Sequence, residues 1–165
     1  RLPEEASTWI YSLNKRTAEY DWIFLPIHVA SFSDAPIDLM KKLVKAFPQG
    51  LRMAATGGKL PLHVACETLA SSEVIAFLHN AYSDALYVID DSGNTPLQQT
   101  MFSENKSGRT RVMQLLTSLQ ATEVRNGSGE NVVPRVGLPK TGKVAKMFKK
   151  WHSATVLKRQ YRSAL

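Results

Sequence analysis

Apolar and polar positions along the chain repeat every 35 residues. LPIHVA, from Leu25 to Ala30, returns as LPLHVA, from Leu60 to Ala65, and again as TPLQQT, from Thr95 to Thr100. Pro26, Pro61 and Pro96 are spaced 35 and 35, with His28, His63 and Gln98 two positions further on. Downstream, Leu39, Met40, Leu43 and Phe47 match Val74, Ile75, Leu78 and Tyr82, and Leu51 and Met53 match Leu86 and Val88. Within a unit the apolar positions have helical spacing: Leu62, Ala65, Cys66 and Leu69, then a polar break at Ser71 and Ser72, then Val74, Ile75, Leu78 and Tyr82. Each unit therefore predicts two short helices, the first opened by a proline where its missing N–H is harmless. DDSGN, Asp90 to Asn94, predicts a turn with glycine at a positive φ. A single helix pair cannot bury its apolar face, but stacked neighbours can.

The repeated residues resemble the ankyrin repeat, whose turn and T-P-L-H-x-A signature is carried by GGKLPLHVAC and DDSGNTPLQQT. The nearest likeness is to the slightly long variety common in diatoms and related algae, with the tail YSDALYV, Tyr82 to Val88. The resemblance covers about residues 21–119. It departs from the pattern in the first unit, where DWIF replaces the glycine turn, and in the third, where Gln98 replaces histidine. FSENKSGRT also adds three residues to the third unit, so that Val112, Met113 and Leu116 match at 38. It implies an all-α, ankyrin-type helical repeat solenoid of about three repeats, 21–55, 56–90 and 91–120. Residues 1–20, with Trp9, Ile10, Leu13 and Ala18, are expected to form an N-terminal capping helix, and Arg109 to Leu119 the last outer helix.

In such repeats the histidine ties neighbouring turns together by hydrogen bonds, so His28 and His63 are expected to be structural. No Cys or carboxylate stands at metal-ligand spacing from either. Partners are expected at the turn tips and on the exposed face of the first helices. Mapped onto this chain, those positions include Trp22, Phe24, Lys59 and Asn94 at the tips, and Phe32, Glu67, Gln99 and Phe102 on the helix face. The apolar Trp22-Ile23-Phe24 tip has two readings, one packed under the N-terminal helix and one as an exposed aromatic anchor.

Charge separates a body from a tail. Residues 1–120 hold 11 Lys/Arg and 12 Asp/Glu, a net of −1, whereas residues 121–165 hold 10 and two, a net of +8. Ala121 to Gly142, with four glycines and two prolines, reads as a linker. From residue 143 to 165 the pattern predicts a basic amphipathic helix. Val144, Met147, Phe148, Trp151 and Leu157 share a face, while Lys146, Lys149, Lys150, Lys158, Arg159 and Arg162 supply charge. Such an arm suits an acidic groove on a protein partner, a calmodulin-like clamp or an anionic surface.

Candidate chemistry adds little. GLPKTGKV, Gly137 to Val144, reads as G-x-x-x-x-G-K, but Val144 stands where a P-loop places Ser or Thr on magnesium, and Pro139 removes a cradle N–H. No Asp or Glu follows Val144. Cys66 has no base beside it in the pattern and can form no internal disulfide. No carboxylate pair or Ser/His/Asp set is visible, so no catalytic, cofactor or metal site is expected. A composition of 44% hydrophobic and 21% charged residues is that of a globular chain. No run of 18 apolar residues predicts a membrane span, and RLPEEASTW shows no targeting signal. The expected function is a non-catalytic protein–protein interaction scaffold or adaptor, monomeric within a larger hetero-complex and intracellular, in cytoplasm or an organelle. A calmodulin-target-like regulated adaptor is the first alternative. An RNA- or ribosome-associated basic protein is the second.

Overall fold

The computed structural model describes residues 2–14, 16–17 and 19–125. It opens with α1 (Leu2–Ala6), followed by an antiparallel hairpin of β1 (Ile10–Leu13) and β2 (Tyr20–Phe24). Three helix pairs follow: α2 (Pro26–Phe32) with α3 (Ile37–Ala46), α4 (Pro61–Glu67) with α5 (Ser72–Ala81), and α6 (Pro96–Gln99) with α7 (Lys106–Arg125). Short 3₁₀ helices at Pro48–Arg52 and Ser83–Tyr87 close the first two pairs, and a third, Thr100–Phe102, extends α6. The expected all-α, ankyrin-type solenoid is thereby corrected. The fold is mostly helical but carries a two-stranded antiparallel sheet, and its third unit has a first helix of only four residues.

The sheet stands where the N-terminal capping helix was expected. Ile10, Tyr11, Ser12 and Leu13 alternate between half-buried and exposed, the period of two of a strand and not the helical spacing expected of Trp9, Ile10 and Leu13. Ile10 faces Phe24, Tyr11 faces Ile23, Ser12 faces Trp22 and Leu13 faces Tyr20, with an irregularity between Ser12 and Leu13. α7 also outruns expectation, continuing to Arg125 through the first residues assigned to the linker. The rest of that linker and the basic helix of 143–165 lie outside the described residues.

The helix starts follow from local chemistry. Leu25, Leu60 and Thr95 hold extended backbone at the N-caps, and each is followed by proline in the first turn. There proline's fixed φ costs nothing and its absent N–H is not missed. α2 and α4 both end in a left-handed residue, Asp34 at φ 51° and Leu69 at φ 56°, again 35 residues apart. Ala35 and Ala70 then donate back to Ala30 and Ala65 at 3.0 and 2.9 Å, satisfying carbonyls that the helix ends leave open. Ser71 caps α5 by accepting the Val74 amide at 3.3 Å.

One apolar core runs through the helix pairs. Met40, Ala65, Cys66, Ile75, Val112 and Leu116 are fully enclosed, with Leu62 and Leu78 nearly so. α4 packs between α2 and α6, and α5 between α3 and α7. Burying each of the Leu, Ile, Val and Met side chains is worth about 1.5–3 kcal/mol, so the pairs depend on one another. Polar ties reinforce the stacking. Asp34 Oδ1 accepts the Ser71 amide at 2.8 Å. Arg111 donates to the Leu69 and Ala70 carbonyls at 2.8 and 3.1 Å. The Arg52 guanidinium lies 4.7 Å from the Tyr82 ring centre. Gly108 lets α7 approach, since a Cβ there would meet Leu69 Cδ1 at 2.8 Å.

Candidate interaction surface

The turn tips are joined into a row. β2 pairs with β1 along one edge, and along the other Ile23 is bonded to the next tip. The Ile23 amide donates to Thr56 Oγ1 at 2.6 Å, and the Thr56 amide donates to the Ile23 carbonyl at 3.1 Å. The tip of the second unit, Ala55 to Lys59, turns through Gly57 at φ 81° and Gly58 at φ 71°. Its Gly57 carbonyl accepts the Asp91 amide of the third tip at 3.0 Å. That tip is held by Asp90 Oδ1, which accepts from the Ser92 and Asn94 amides, both at 2.9 Å. Asp90 Oδ2 accepts from the Gln99 amide group.

Both repeat histidines serve this row, as the resemblance implies. The Leu25 amide donates to His28 Nδ1 at 3.2 Å, which leaves the proton on Nε2 to be donated to the Met53 carbonyl at 3.1 Å. His63 copies the arrangement 35 residues on. Leu60 donates to its Nδ1 at 3.3 Å, and its Nε2 proton is shared between the Val88 and Asn94 carbonyls at 3.0 and 3.2 Å. Burial lowers the pKa of His28 to about 3 and of His63 to about 4, because the charged ring would be desolvated. For His63 the nearby Asp90 opposes burial and Lys59 adds to it. Gln98, at the third position, reproduces half the device, its Oε1 accepting the Thr95 amide at 2.8 Å. Cys66 is fully enclosed, and burial pushes its thiol pKa far up, away from thiolate chemistry.

Equivalent tip and helix-face positions carry different residues in the three units: Phe24 and Phe32, Lys59 and Glu67, Asn94 and Phe102. Several residues expected to meet partners prove instead to be part of the packing. Phe24 is buried, 6.1 Å from the His28 ring centre and stacked with Trp22 at 5.7 Å. Lys59 is buried and ion-paired to Glu67 at 2.7 Å. Gln99 is buried against Asp90. Trp22, Phe32, Glu67 and Asn94 are half-buried, and Asn94 lends its carbonyl to His63. The Trp22-Ile23-Phe24 tip therefore packs, but against strand β1 and Thr56 rather than beneath a helix. Phe102 alone of the expected body residues is open, at 55% of its full exposure. Lys146, Phe148, Lys149, Lys150, Trp151, Leu157, Lys158, Arg159 and Arg162 lie outside the described residues.

The open apolar side chains are largely ones the sequence reading passed over. Met101 is as exposed as Phe102, although its counterparts Ser31 and Cys66 are fully buried. α4 packs on α2 and α6 on α4, whereas among the described residues no further helix pair follows α6. Tyr87 and Ile89 are also exposed close by in sequence. A second group, Tyr11, Leu13 and Tyr20, stands on the hairpin, with Tyr11 and Tyr20 edge to face at 5.2 Å. Period-two alternation in IYSL was the signal that could have found it. Among the described residues no cluster of His, Cys, Asp and Glu could hold a metal ion, and no helix is long and apolar enough to cross a membrane.

In comparison with known proteins, no family model and no curated protein matches the chain.

Proposed function

We propose that the chain is a non-catalytic interaction module, a scaffold or adaptor that joins a larger complex through its tip row and the open end of its third unit. The observation that carries this reading is the joint exposure of Met101 and Phe102, the first at a position whose counterparts, Ser31 and Cys66, are fully buried. Large apolar side chains left open together are characteristic of surfaces that meet another protein. The placement of the reactive side chains supports the same reading. Both repeat histidines spend both ring nitrogens on backbone groups, and the one thiol is sealed in the core. The likeness of LPIHVA and LPLHVA to ankyrin motifs adds weight, since that family works by binding proteins. The basic C-terminal residues extend the proposal as a second grip suited to an acidic partner.

Affinity capture with the full chain tests it, comparing wild type with Met101→Ser/Phe102→Ser. Both positions are solvent-facing, so the variant should keep its helix content and thermal midpoint. A partner set retained by wild type and depleted at least tenfold on the variant supports the role. Equal capture by both overturns the assignment of this surface.

A further inference from the structure

The two edges of the hairpin have different fates. Ile23 turns its amide and carbonyl toward Thr56. It therefore spends none on β1, and the Tyr11–Ile23 pair is of the non-hydrogen-bonded kind. Tyr11 then directs its own amide and carbonyl away from β2, to the outer edge. The Asn14 amide donates inward to Glu19 at 2.8 Å, so by alternation Leu13 points its backbone outward as well. Of the devices that keep strands apart, Ile10 to Leu13 lacks both charge and proline, and the irregularity beside Ser12 puts its extra residue, Asp21, on β2 rather than on this edge. Its outward-facing residues are apolar and open, Tyr11 at 54% and Leu13 at 48%.

We propose that β1 is a self-association strand, which pairs antiparallel with β1 of a second copy of this chain about a two-fold axis through Ser12. The occupant is indicated by self-complementarity. A two-fold at Ser12 sets Tyr11 opposite Leu13 of the second copy, and Leu13 opposite its Tyr11. Each is a narrow pair in which both residues exchange N–H and C=O bonds. Every outward group of Tyr11 and Leu13 is thereby used, and the interface is isologous. Each aromatic lies beside an aliphatic side chain, a favourable cross-strand combination. The strand is neutral, so self-pairing brings no like charges together. The hairpins become a continuous four-stranded sheet with Tyr11, Leu13 and Tyr20 of both copies on the sheet formed. The result is a bivalent scaffold, in place of the monomer expected from sequence, and it uses neither Met101 nor Phe102.

Sedimentation of the full chain through the micromolar range tests the pairing. The wild type should pass from 18.4 kDa to twice that mass as concentration rises. Tyr11→Lys/Leu13→Lys places like charges opposite each other in both pairs, and should remain monomeric with unchanged far-UV circular dichroism. Tyr11→Lys/Leu13→Glu places the new lysine of each copy opposite the new glutamate of the other, and dimerisation should return. A wild type that stays monomeric throughout overturns the proposal. So does a dimer that persists in the double-lysine variant, or one that fails to return with the charge pair. Partner capture through Met101 and Phe102 is read separately, so the two proposals can fail independently.

Discussion

Acidification should unlock the row of turn tips, because its two histidines are folded in their neutral form. Each accepts a backbone N–H at Nδ1, so protonation there forfeits a hydrogen bond and places a charge in the core. Their folded pKa values of about 3 for His28 and about 4 for His63 lie below the ordinary value of 6.5. The unfolded chain therefore binds protons first as pH falls. Stability is fully present above pH 6.5, declines below it, and levels off as each folded pKa is passed. Between pH 7 and pH 5 each histidine loses about 2 kcal/mol, about 4 kcal/mol together, at 1.36 kcal/mol per pKa unit. That is a large share of the roughly 5–15 kcal/mol that holds a domain folded. Urea unfolding followed by circular dichroism measures it at the two pH values. His28→Gln/His63→Gln isolates the effect, because Gln98 already shows that glutamine can accept the helix-start amide. The double variant should be less stable at neutral pH but lose most of the slope. A wild-type loss below about 1 kcal/mol, or a slope unchanged in the variant, refutes the account of these histidines.

Other parts of the structure give equally definite expectations. Gly58→Ala should cost about 2–3 kcal/mol in urea unfolding, because a Cβ at φ 71° meets Asp91 Oδ1 at 2.6 Å and the Asp91 amide nitrogen at 2.7 Å; a cost under about 0.5 kcal/mol would show that the second and third tips are not locked together. Leu116→Ala removes a fully buried side chain and should cost about 2–5 kcal/mol, with a large part of the far-UV signal lost at a lower temperature. Ser71→Ala should cost about 1 kcal/mol by removing the acceptor for the Val74 amide. Phe102→Ser should alter stability by less than about 0.5 kcal/mol, as befits an exposed position, while lowering partner capture.

The helix pairs were legible because their signals are local and repeated. Proline at each helix start, apolar spacing near 3.6 and a period of 35 all point to the same elements, and α2, α4 and α6 begin at Pro26, Pro61 and Pro96 as that pattern requires. The roles of His28 and His63 were expected from the resemblance to ankyrin repeats and not from the spacing itself. The N-terminal hairpin was not legible in the same way. Trp9, Ile10 and Leu13 satisfy a helical stripe as well as a strand, and what decides between them is Phe24 and Trp22 across the sheet, a contact remote in sequence. Burial of Lys59 and Gln99 escaped the sequence for a related reason. Their partners, Glu67 and Asp90, stand eight and nine residues away and meet them only once the tip folds over the helix. Exposure of Met101 depends on where the packed helix pairs end, which no single unit encodes.

The central claim, that this molecule works by presenting its tip row and the open end of its third unit to a protein partner, is tested most directly by hydrogen–deuterium exchange of the full chain, alone and in the captured complex. The account predicts slowed exchange in peptides covering Tyr87 to Asn94 and Thr100 to Phe102, with the outer helices α3 and α5 unchanged. Protection confined to α3 and α5, with Thr100 to Phe102 exchanging as in the free chain, would contradict it.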